Sequence, residues 1–200
     1  MGIGLEADWK TYAAIGAVII GNASFLPYLI GILKRETQPH AYTWLIWAIT
    51  QGTAAAGLFY GGGGLVSYGL LLSSVLVFLI FLLSLKYGTK NIRKSDAIVL
   101  IAALAAIMVW WQLDNPVLAV VMVSAIDGIG YVPTYRKLLQ QPWSENITSW
   151  VGFLVSYLLA LASLLEYNAL TVTYLITIFI ASALLVVLAL VGRMRIPKPV

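Results

Sequence analysis

One carboxylic acid, Asp127, falls near the middle of a long apolar run that extends from about residue 116 to residue 137. An ionised carboxylate at the centre of a bilayer costs about 3 kcal/mol or more, so acids at this depth usually belong to ion or solute pathways. Asp127 is therefore a candidate to carry a coupling proton or to bind a cationic group on a solute. The alternative is a protonated acid that hydrogen-bonds a neighbouring helix and only stabilises packing.

Polar side chains at comparable depth occur in five other apolar runs of the chain. Each one taken singly is more often an interhelical hydrogen bond than a ligand contact. Converging from several helices, they could line a cavity with Asp127 that accepts a neutral, hydroxyl-rich or amide-bearing solute. The candidate substrate-binding residues are Asn22, Gln51, Ser73, Ser74, Tyr157 and Thr177, with Ser182 nearby.

The chain offers little other catalytic or metal-binding chemistry. It has no cysteine and one histidine, His40, which excludes thiolate sites and makes an imidazole zinc site improbable. A protease within the membrane would need paired carboxylates or a Ser-His pair, but Asp127 is the only acid expected to be buried. We therefore expect no enzymatic activity, no metal and no cofactor. His40 is expected to cap a helix or to face lipid headgroups.

Composition indicates an integral membrane protein. Hydrophobic residues make up 61% of the chain and charged residues only 10%, far outside the balance of a soluble domain. Seven apolar runs approach the length of about 20 residues that a helix needs to cross the hydrocarbon layer, where backbone groups must bond within the chain. The predicted spans are approximately 10–33, 41–60, 65–86, 95–113, 116–137, 147–165 and 170–192. The glycine run 61–64 is predicted to form a tight turn between antiparallel helices.

The charges predict an orientation, because lysine and arginine collect on the cytoplasmic side. With seven spans, nearly all basic residues fall on one side and only Lys10 falls opposite. The basic side holds Lys34, Arg35, Lys86, Lys90, Arg93, Lys94, Arg136, Lys137, Arg193, Arg195 and Lys198, and the other side holds Glu6, Asp8, Asp114 and Glu166. The N-terminus is therefore predicted outside and the C-terminus in the cytoplasm. The net charge of +4 then reflects topology and anionic headgroups, and a nucleic-acid partner is not needed to explain it.

Rare residues recur along the chain at one offset, which indicates an internal repeat. Adding 106 to a residue number carries Pro27 onto Pro133, the pair 43–44 (Thr-Trp) onto 149–150 (Ser-Trp), and 67–68 (Ser-Tyr) onto 173–174 (Thr-Tyr). Two three-helix units joined directly would be inverted relative to each other, and one extra helix restores a parallel orientation. The predicted division is a first three-helix repeat over 1–94, a linker helix over 95–114 and a second repeat over 115–200, a known plan for transporters.

These features resemble the SWEET and PQ-loop (MtN3-like) superfamily of small-solute transporters. The resemblance rests on the proline in the first helix of each unit, the basic turn after it and the Thr/Ser-Trp start of the second helix. The stretch 34–40 (KRETQPH), with 43–44 and Trp47, is similar to small bacterial PQ-loop-like membrane proteins of unassigned substrate. The glutamine that names the PQ-loop is replaced by Tyr28 and Thr134, and the second helices lack the proline of SWEETs. The resemblance implies alternating access in a bacterial inner membrane.

Hinges and gates can be assigned from position in the repeat. Pro27 and Pro133 each remove a backbone hydrogen bond and are expected to kink their helices, with Gly128 and Gly130 loosening the second copy. The alternative is that these prolines are only structural. As repeat-equivalent pairs, Trp44 with Trp150 could close an inner gate, and Tyr68 with Tyr174 an outer gate. Trp44 and Trp150 could equally belong to the interfacial aromatic belt.

The sequence thus predicts a transporter for a sugar-like or other small polar metabolite in the lipid bilayer. It works by alternating access between two three-helix bundles, with proton coupling through Asp127 left open. Two alternatives remain: a receptor or assembly factor with the same fold, and a vitamin-precursor carrier of the related three-one-three type. Assembly as a homo-oligomer also remains open.

Overall fold

The computed structural model describes residues 3–89, 93–113 and 115–198, and every regular element in these ranges is an α-helix. Lys90 and Asp114 lie outside the described residues, as do the side chains of Glu6 and Asp8. The helices of the described residues are α1 (Ile3–Ala23), α2 (Phe25–Leu33), α3 (Ala41–Tyr60), α4 (Leu65–Tyr87), α5 (Lys94–Leu113), α6 (Pro116–Gly130), α7 (Val132–Gln140), α8 (Ile147–Ser163) and α9 (Ala169–Arg195).

Two pairs of helices are separated by a single residue each, so the segments form seven rods. The interruptions fall at Ser24, between α1 and α2, and at Tyr131, between α6 and α7. Both precede a proline, Pro27 and Pro133, which cannot donate to the carbonyl four residues earlier and sterically opposes that turn. The predicted spans agree with these rods to within a few residues, except that α1 begins at Ile3, and each interruption lies close to a proline at which a kink was predicted.

Four rods in the described ranges are long and apolar enough to cross a membrane. They are Trp9–Leu33, Leu65–Tyr87, Pro116–Gln140 and Ala169–Arg195, and Ile147–Ser163 is a shorter apolar helix. This is the character of a helical membrane protein.

The glycine run folds as the predicted tight turn. The Gly63 amide donates to the carbonyl of Leu58 at 2.7 Å, which closes the C-terminus of α3. Gly62 has φ 81° and Gly64 has φ 61°, values that side-chain-bearing residues rarely adopt. The chain thereby reverses between α3 and α4, which pack against each other along their length.

Six of the rods pack as a ring in the order α1, α4, α3, α6, α9 and α8. We call α1, α3 and α4 the first helix group, and α6, α8 and α9 the second. In the first group α4 packs between α1 and α3, and in the second group α9 packs between α6 and α8. The groups meet at two junctions, α1 with α8 and α3 with α6, while α5 packs outside against α6 and α3. The basic end of the bundle carries α2, α7 and the C-termini of α4 and α9, and the far end carries the glycine turn.

Glycines allow close approach at both junctions. A methyl group at Gly21 of α1 would clash with Ser156 Oγ of α8, and one at Gly152 of α8 would clash with Ser24 Oγ. At the other junction, a methyl group at Gly57 of α3 would lie 2.6 Å from a methyl carbon of Val120. Small residues let helix backbones approach without a hydrophobic driving force, as packing within lipid requires.

The end of α2 holds an unusual backbone conformation. The Glu36 amide donates to the carbonyl of Gly31 at 2.9 Å and the Arg35 amide to that of Ile32 at 3.0 Å, the Schellman pattern of a helix C-terminus. This pattern favours glycine at the position of Arg35, which has φ 62°. It is the only non-glycine residue with positive φ in the described ranges. A side chain in this conformation costs about 1–2 kcal/mol.

Candidate functional site: a buried acid between two helix groups

Asp127 lies at the junction of α3 and α6, where its side chain is 1% exposed. The Thr50 hydroxyl of α3 donates to Asp127 Oδ1. Trp47 Nε1, one turn earlier on α3, donates to the Asp127 carbonyl at 3.3 Å. No ion pair to Asp127 occurs among the residues that the structure describes. Asp127 is therefore a buried acid held by neutral donors.

Hydroxyl groups of the second helix group surround this acid. Tyr131 Oη and Ser182 Oγ are hydrogen-bonded at 2.9 Å. The Tyr174 hydroxyl is buried and lies near the Asp127 carboxyl group. Gln51 Oε1 is also buried and, like Tyr174 Oη, has no hydrogen-bond partner in the described part of the chain. Unpaired buried polar atoms call for a specific explanation, such as water, an ion or a ligand.

A second group of the predicted residues lies between α1, α4, α8 and α9. Ser73 Oγ donates to Asn22 Oδ1 at 3.3 Å, and the Asn22 amide donates to the Val18 carbonyl. Asn22, Ser73 and Tyr157 line a cavity of about 40 Å³. That volume holds a few water molecules at most. The structure thus divides the predicted binding residues between the acid and this small cavity.

Two other predicted binding residues bond to their own helices. Ser74 Oγ donates to the Leu71 carbonyl at 2.9 Å, and Thr177 Oγ1 donates to the Thr173 carbonyl at 2.8 Å. Thr177 nevertheless faces Gly128, where an added methyl carbon would lie 3.5 Å from the Thr177 methyl group. Gly130 packs closely against α3, because an added methyl carbon there would lie 3.1 Å from Trp47 Nε1.

An aromatic layer separates the buried acid from the basic end. We define it as Phe25, Tyr28, Trp44, Trp47, Tyr131, Trp150 and Phe153, all buried in one cluster. The ring of Tyr28 lies 4.9 Å from that of Trp44 and 6.4 Å from that of Trp150, centroid to centroid. The two predicted inner-gate tryptophans thus lie inside the bundle and share Tyr28 as a neighbour, so their assignment to the interfacial belt is wrong.

The predicted outer pair is not brought together. Tyr68 is 63% exposed and packs edge-on against Phe59 at 4.7 Å, whereas Tyr174 is fully buried beside Asp127. The assignment of these two residues as one outer gate is therefore wrong. Tyr68 falls on the outward face of α4, while Tyr174 falls on the inward face of α9.

Sequence reasoning missed two charged clusters beneath the aromatic layer. Lys137 and Glu145 form an ion pair in which each side chain is 1% exposed. Lys137 Nζ also donates to the Gln38 carbonyl of the first helix group at 2.6 Å, and Trp150 Nε1 donates to Glu145 Oε2 at 2.9 Å. The sequence predicted that Asp127 is the only buried acid. This prediction is wrong, because Glu145 is buried as well.

The second missed cluster joins three parts of the chain. Asp96 of α5 lies 3.2 Å from His40 Nε2 and 3.2 Å from an Arg136 guanidinium nitrogen. His40 is the N-cap residue of α3, in agreement with one of the two expectations for it, but its side chain makes no capping bond. The side chain is buried, so the headgroup-facing expectation is wrong. Its Nδ1 lies 3.4 Å from Thr43 Oγ1, which in turn donates to the Gly130 carbonyl at 3.1 Å.

Residues related by the 106-residue offset make matching contacts at the two junctions. The ring pair Phe25 and Phe153, 4.7 Å apart, corresponds to Tyr131 and Trp47, 4.5 Å apart. Thr50 bonds to Asp127 at one junction, and its counterpart Ser156 donates to the carbonyl of Ala17 at the other.

The loops of the basic end also match. The Gln38 amide donates to the Ser144 carbonyl at 3.2 Å, and these two residues are themselves counterparts. Contact between counterparts is expected where two similar units meet across a local two-fold axis.

The comparisons with known proteins add no family. No family model matches the sequence, and no curated protein and no solved structure matches the chain. Its class therefore follows from its own architecture: the described residues are all-helical, four rods are long and apolar enough to cross a membrane, and an acid is buried at the α3–α6 junction.

Proposed function

We propose that this chain is a transporter of a small polar solute, and that it works by alternating access between its two helix groups. The observation that carries the proposal is the uncharged surrounding of Asp127 at the α3–α6 junction. An acid buried in a membrane helix without a counter-charge is expensive and usually serves an ion or solute pathway. Its place between the groups is where a relative movement would change access to it.

The proposed architecture is three helices, a linker helix and three helices, with the two groups parallel. The matching ring pairs at the two junctions support it, and so does the bond between counterparts Gln38 and Ser144. The position of α5 outside the ring, against α6 and α3, suits a linker. The orientation proposed from the basic residues places the N-terminus outside and the C-terminus in the cytoplasm.

In this proposal, the structure represents a state closed at the basic end. The aromatic layer and the Lys137 bond to Gln38 join the two groups there, and the cavity beside Asn22 has room only for water. Passage of a solute therefore requires the two groups to separate. The breaks at Ser24 and Tyr131 lie at the level of the aromatic layer and are the proposed hinges, with Pro27 and Pro133 removing the opposing backbone bonds.

The experiment is solute uptake into proteoliposomes, with sugars, amino acids and nucleosides, in the presence and absence of an inward proton gradient. Three variants are compared with wild type: Asp127→Asn, Thr50→Val and Glu166→Gln. The last is a matched control because Glu166 is an exposed acid of the far end. Thr50→Val keeps the acid and removes its donor.

A proton-coupled carrier is expected to show gradient-stimulated uptake that Asp127→Asn abolishes, Thr50→Val weakens and Glu166→Gln leaves unchanged. If uptake depends neither on the proton gradient nor on Asp127, the transporter proposal stands, but Asp127 has only a packing role. Absence of uptake for every solute, with folded protein verified by circular dichroism, would overturn the transporter proposal in favour of a receptor or assembly factor.

A further inference from the structure

A cavity lies at the basic end, outside the aromatic layer. We call it the basin; its volume is about 770 Å³, which is in the range of small-ligand sites. The loop after α2 forms one wall, the α7–α8 loop forms another, and the end of α9 with the following residues forms the third. It therefore borders both helix groups.

Three cations line the basin. Arg193 is held in place because its Nε donates to the Pro142 carbonyl at 3.1 Å and one Nη donates to the Glu145 carbonyl at 2.7 Å. Its guanidinium carbon lies 4.5 Å from the centre of the Trp143 ring, and Lys198 Nζ lies 6.0 Å from the same ring. Arg35 enters from the opposite wall, on the first helix group.

The acids of the basin do not balance these cations. Glu145 lines the basin, but its carboxylate is bound to Lys137 and to the Trp150 indole. Glu36 is the other acid of the lining and is exposed. The basin therefore has an excess of positive charge. Thr148 also lines the basin, and its hydroxyl is a neutral hydrogen-bond donor.

Arg35 occupies a backbone position where glycine would be easier. Its φ of 62° belongs to the left-handed region, and the Schellman bonds around it are the ones that favour glycine. A side chain kept at such a position despite strain suggests a use for that side chain. The use available to this one is the basin, since Arg35 lines it.

We propose that the basin binds a phosphate group, carried either by an anionic lipid headgroup or by a free phosphate. Arginine presents a planar fork of donors that matches phosphate oxygens, and charge-assisted bonds of this kind are stronger than neutral ones. A phosphate between Arg35 and Arg193 would join the first helix group to the second. In a transporter it would hold this end closed, a consequence that rests on the proposed function, whereas the binding itself does not.

The test uses the purified full chain in phosphatidylcholine nanodiscs, with two probes and no transport assay. The first probe is inorganic phosphate, followed by line broadening of its phosphorus resonance at constant ionic strength. The second is spin-labelled phosphatidylglycerol, whose association is measured relative to spin-labelled phosphatidylcholine. The variants are Arg35→Gly, Lys198→Gln and the control Lys86→Gln, an exposed cation of the same end that does not line the basin.

Arg35→Gly is the informative variant because the turn favours glycine and the fold should be retained. Removing one charge-assisted contact is expected to weaken binding about tenfold in Arg35→Gly, with a smaller loss in Lys198→Gln and none in Lys86→Gln. This pattern with phosphatidylglycerol alone identifies a headgroup site, and the same pattern with inorganic phosphate identifies a free-phosphate site. The proposal would be overturned if wild type bound neither inorganic phosphate nor phosphatidylglycerol in preference to phosphatidylcholine. It would also be overturned if Lys86→Gln lost as much binding as Arg35→Gly. Because neither probe reports transport, failure here is distinct from failure of the proposed function.

Discussion

The buried pair of Lys137 and Glu145 allows a quantitative test of the packing beneath the aromatic layer. Each side chain is 1% exposed, so removing one partner leaves the other ion buried without its counter-charge. Lys137→Met would leave the Glu145 carboxylate with the Trp150 indole as its remaining donor, and Glu145→Gln would leave an ammonium group bonded to the Gln38 carbonyl. Breaking a buried ion pair in this way costs about 3–5 kcal/mol.

The double variant should cost much less than the sum of the single variants. With both changes no ion remains buried, and the loss reduces to about 1–2 kcal/mol for the bond to Gln38 and the altered packing. Coupling between the two sites is then about 4 kcal/mol or more, well above the range of about 0.5 kcal/mol within which independent sites add.

The assay is reversible unfolding in mixed micelles of increasing dodecyl sulfate content, followed by circular dichroism, for wild type, both single variants and the double variant. A second cycle with Lys86→Met and Glu166→Gln serves as the control, because these exposed residues lie at opposite ends and should not couple. Additive effects of Lys137→Met and Glu145→Gln, or single losses below about 1 kcal/mol, would refute a buried and paired arrangement.

Three further outcomes follow from the fold. Gly57→Ala should be less stable than Gly52→Ala on the same helix by about 1–3 kcal/mol, because only the former places a methyl group 2.6 Å from Val120. Combining it with Val120→Ala should recover most of that loss in unfolding experiments, and no recovery would argue against this close approach. Gly62→Ala should cost about 1 kcal/mol or more because of its φ of 81°, and a stability equal to wild type would contradict the turn. Tyr68→Leu should leave solute uptake unchanged because the side chain is 63% exposed, and a loss of uptake would return Tyr68 to the outer gate.

The local features of the fold could be predicted from the sequence because they depend on local chemistry. Apolar runs bounded by breakers give the rods, a proline gives the interruption at Ser24 or Tyr131, and a glycine run gives the turn before Leu65. Each of these effects acts within about one turn of the residue that causes it. Membrane character follows from composition alone.

Contacts between distant residues were less accessible to sequence reasoning. Arg136 and Lys137 have the signature of solvated residues that mark the cytoplasmic side, and nothing nearby shows that they face Asp96 and Glu145. One signal in the sequence could have indicated the Lys137–Glu145 pair. Glu145 is the only charged residue of a short loop that follows a basic helix end, and an acid in that position can form an ion pair with the basic residues.

Binding residues were predicted by depth, and depth does not give the direction of a side chain. Asn22 and Asp127 lie at similar depth by the 106-residue offset, but they occupy different junctions. Tyr68 and Tyr174 are counterparts at the 106-residue offset, yet Tyr68 is exposed and Tyr174 is buried. Direction on a helix changes by about 100° per residue, so an offset that is right for the rods can still misplace a single side chain.

The unequal junctions have a consequence for how such a molecule could arise. Gly21 is the counterpart of Asp127, and it faces Ser156 where Asp127 faces Thr50. Had two identical three-helix chains assembled as a homodimer, every acid would come in duplicate, and two carboxylates in one bundle would oppose each other's ionisation. In the proposed repeat, carrying both units in a single polypeptide allows one unit to have the acid while the other has glycine at the matching position. A single titratable group at this position is therefore possible when both units belong to one polypeptide, but not in a strictly symmetric homodimer.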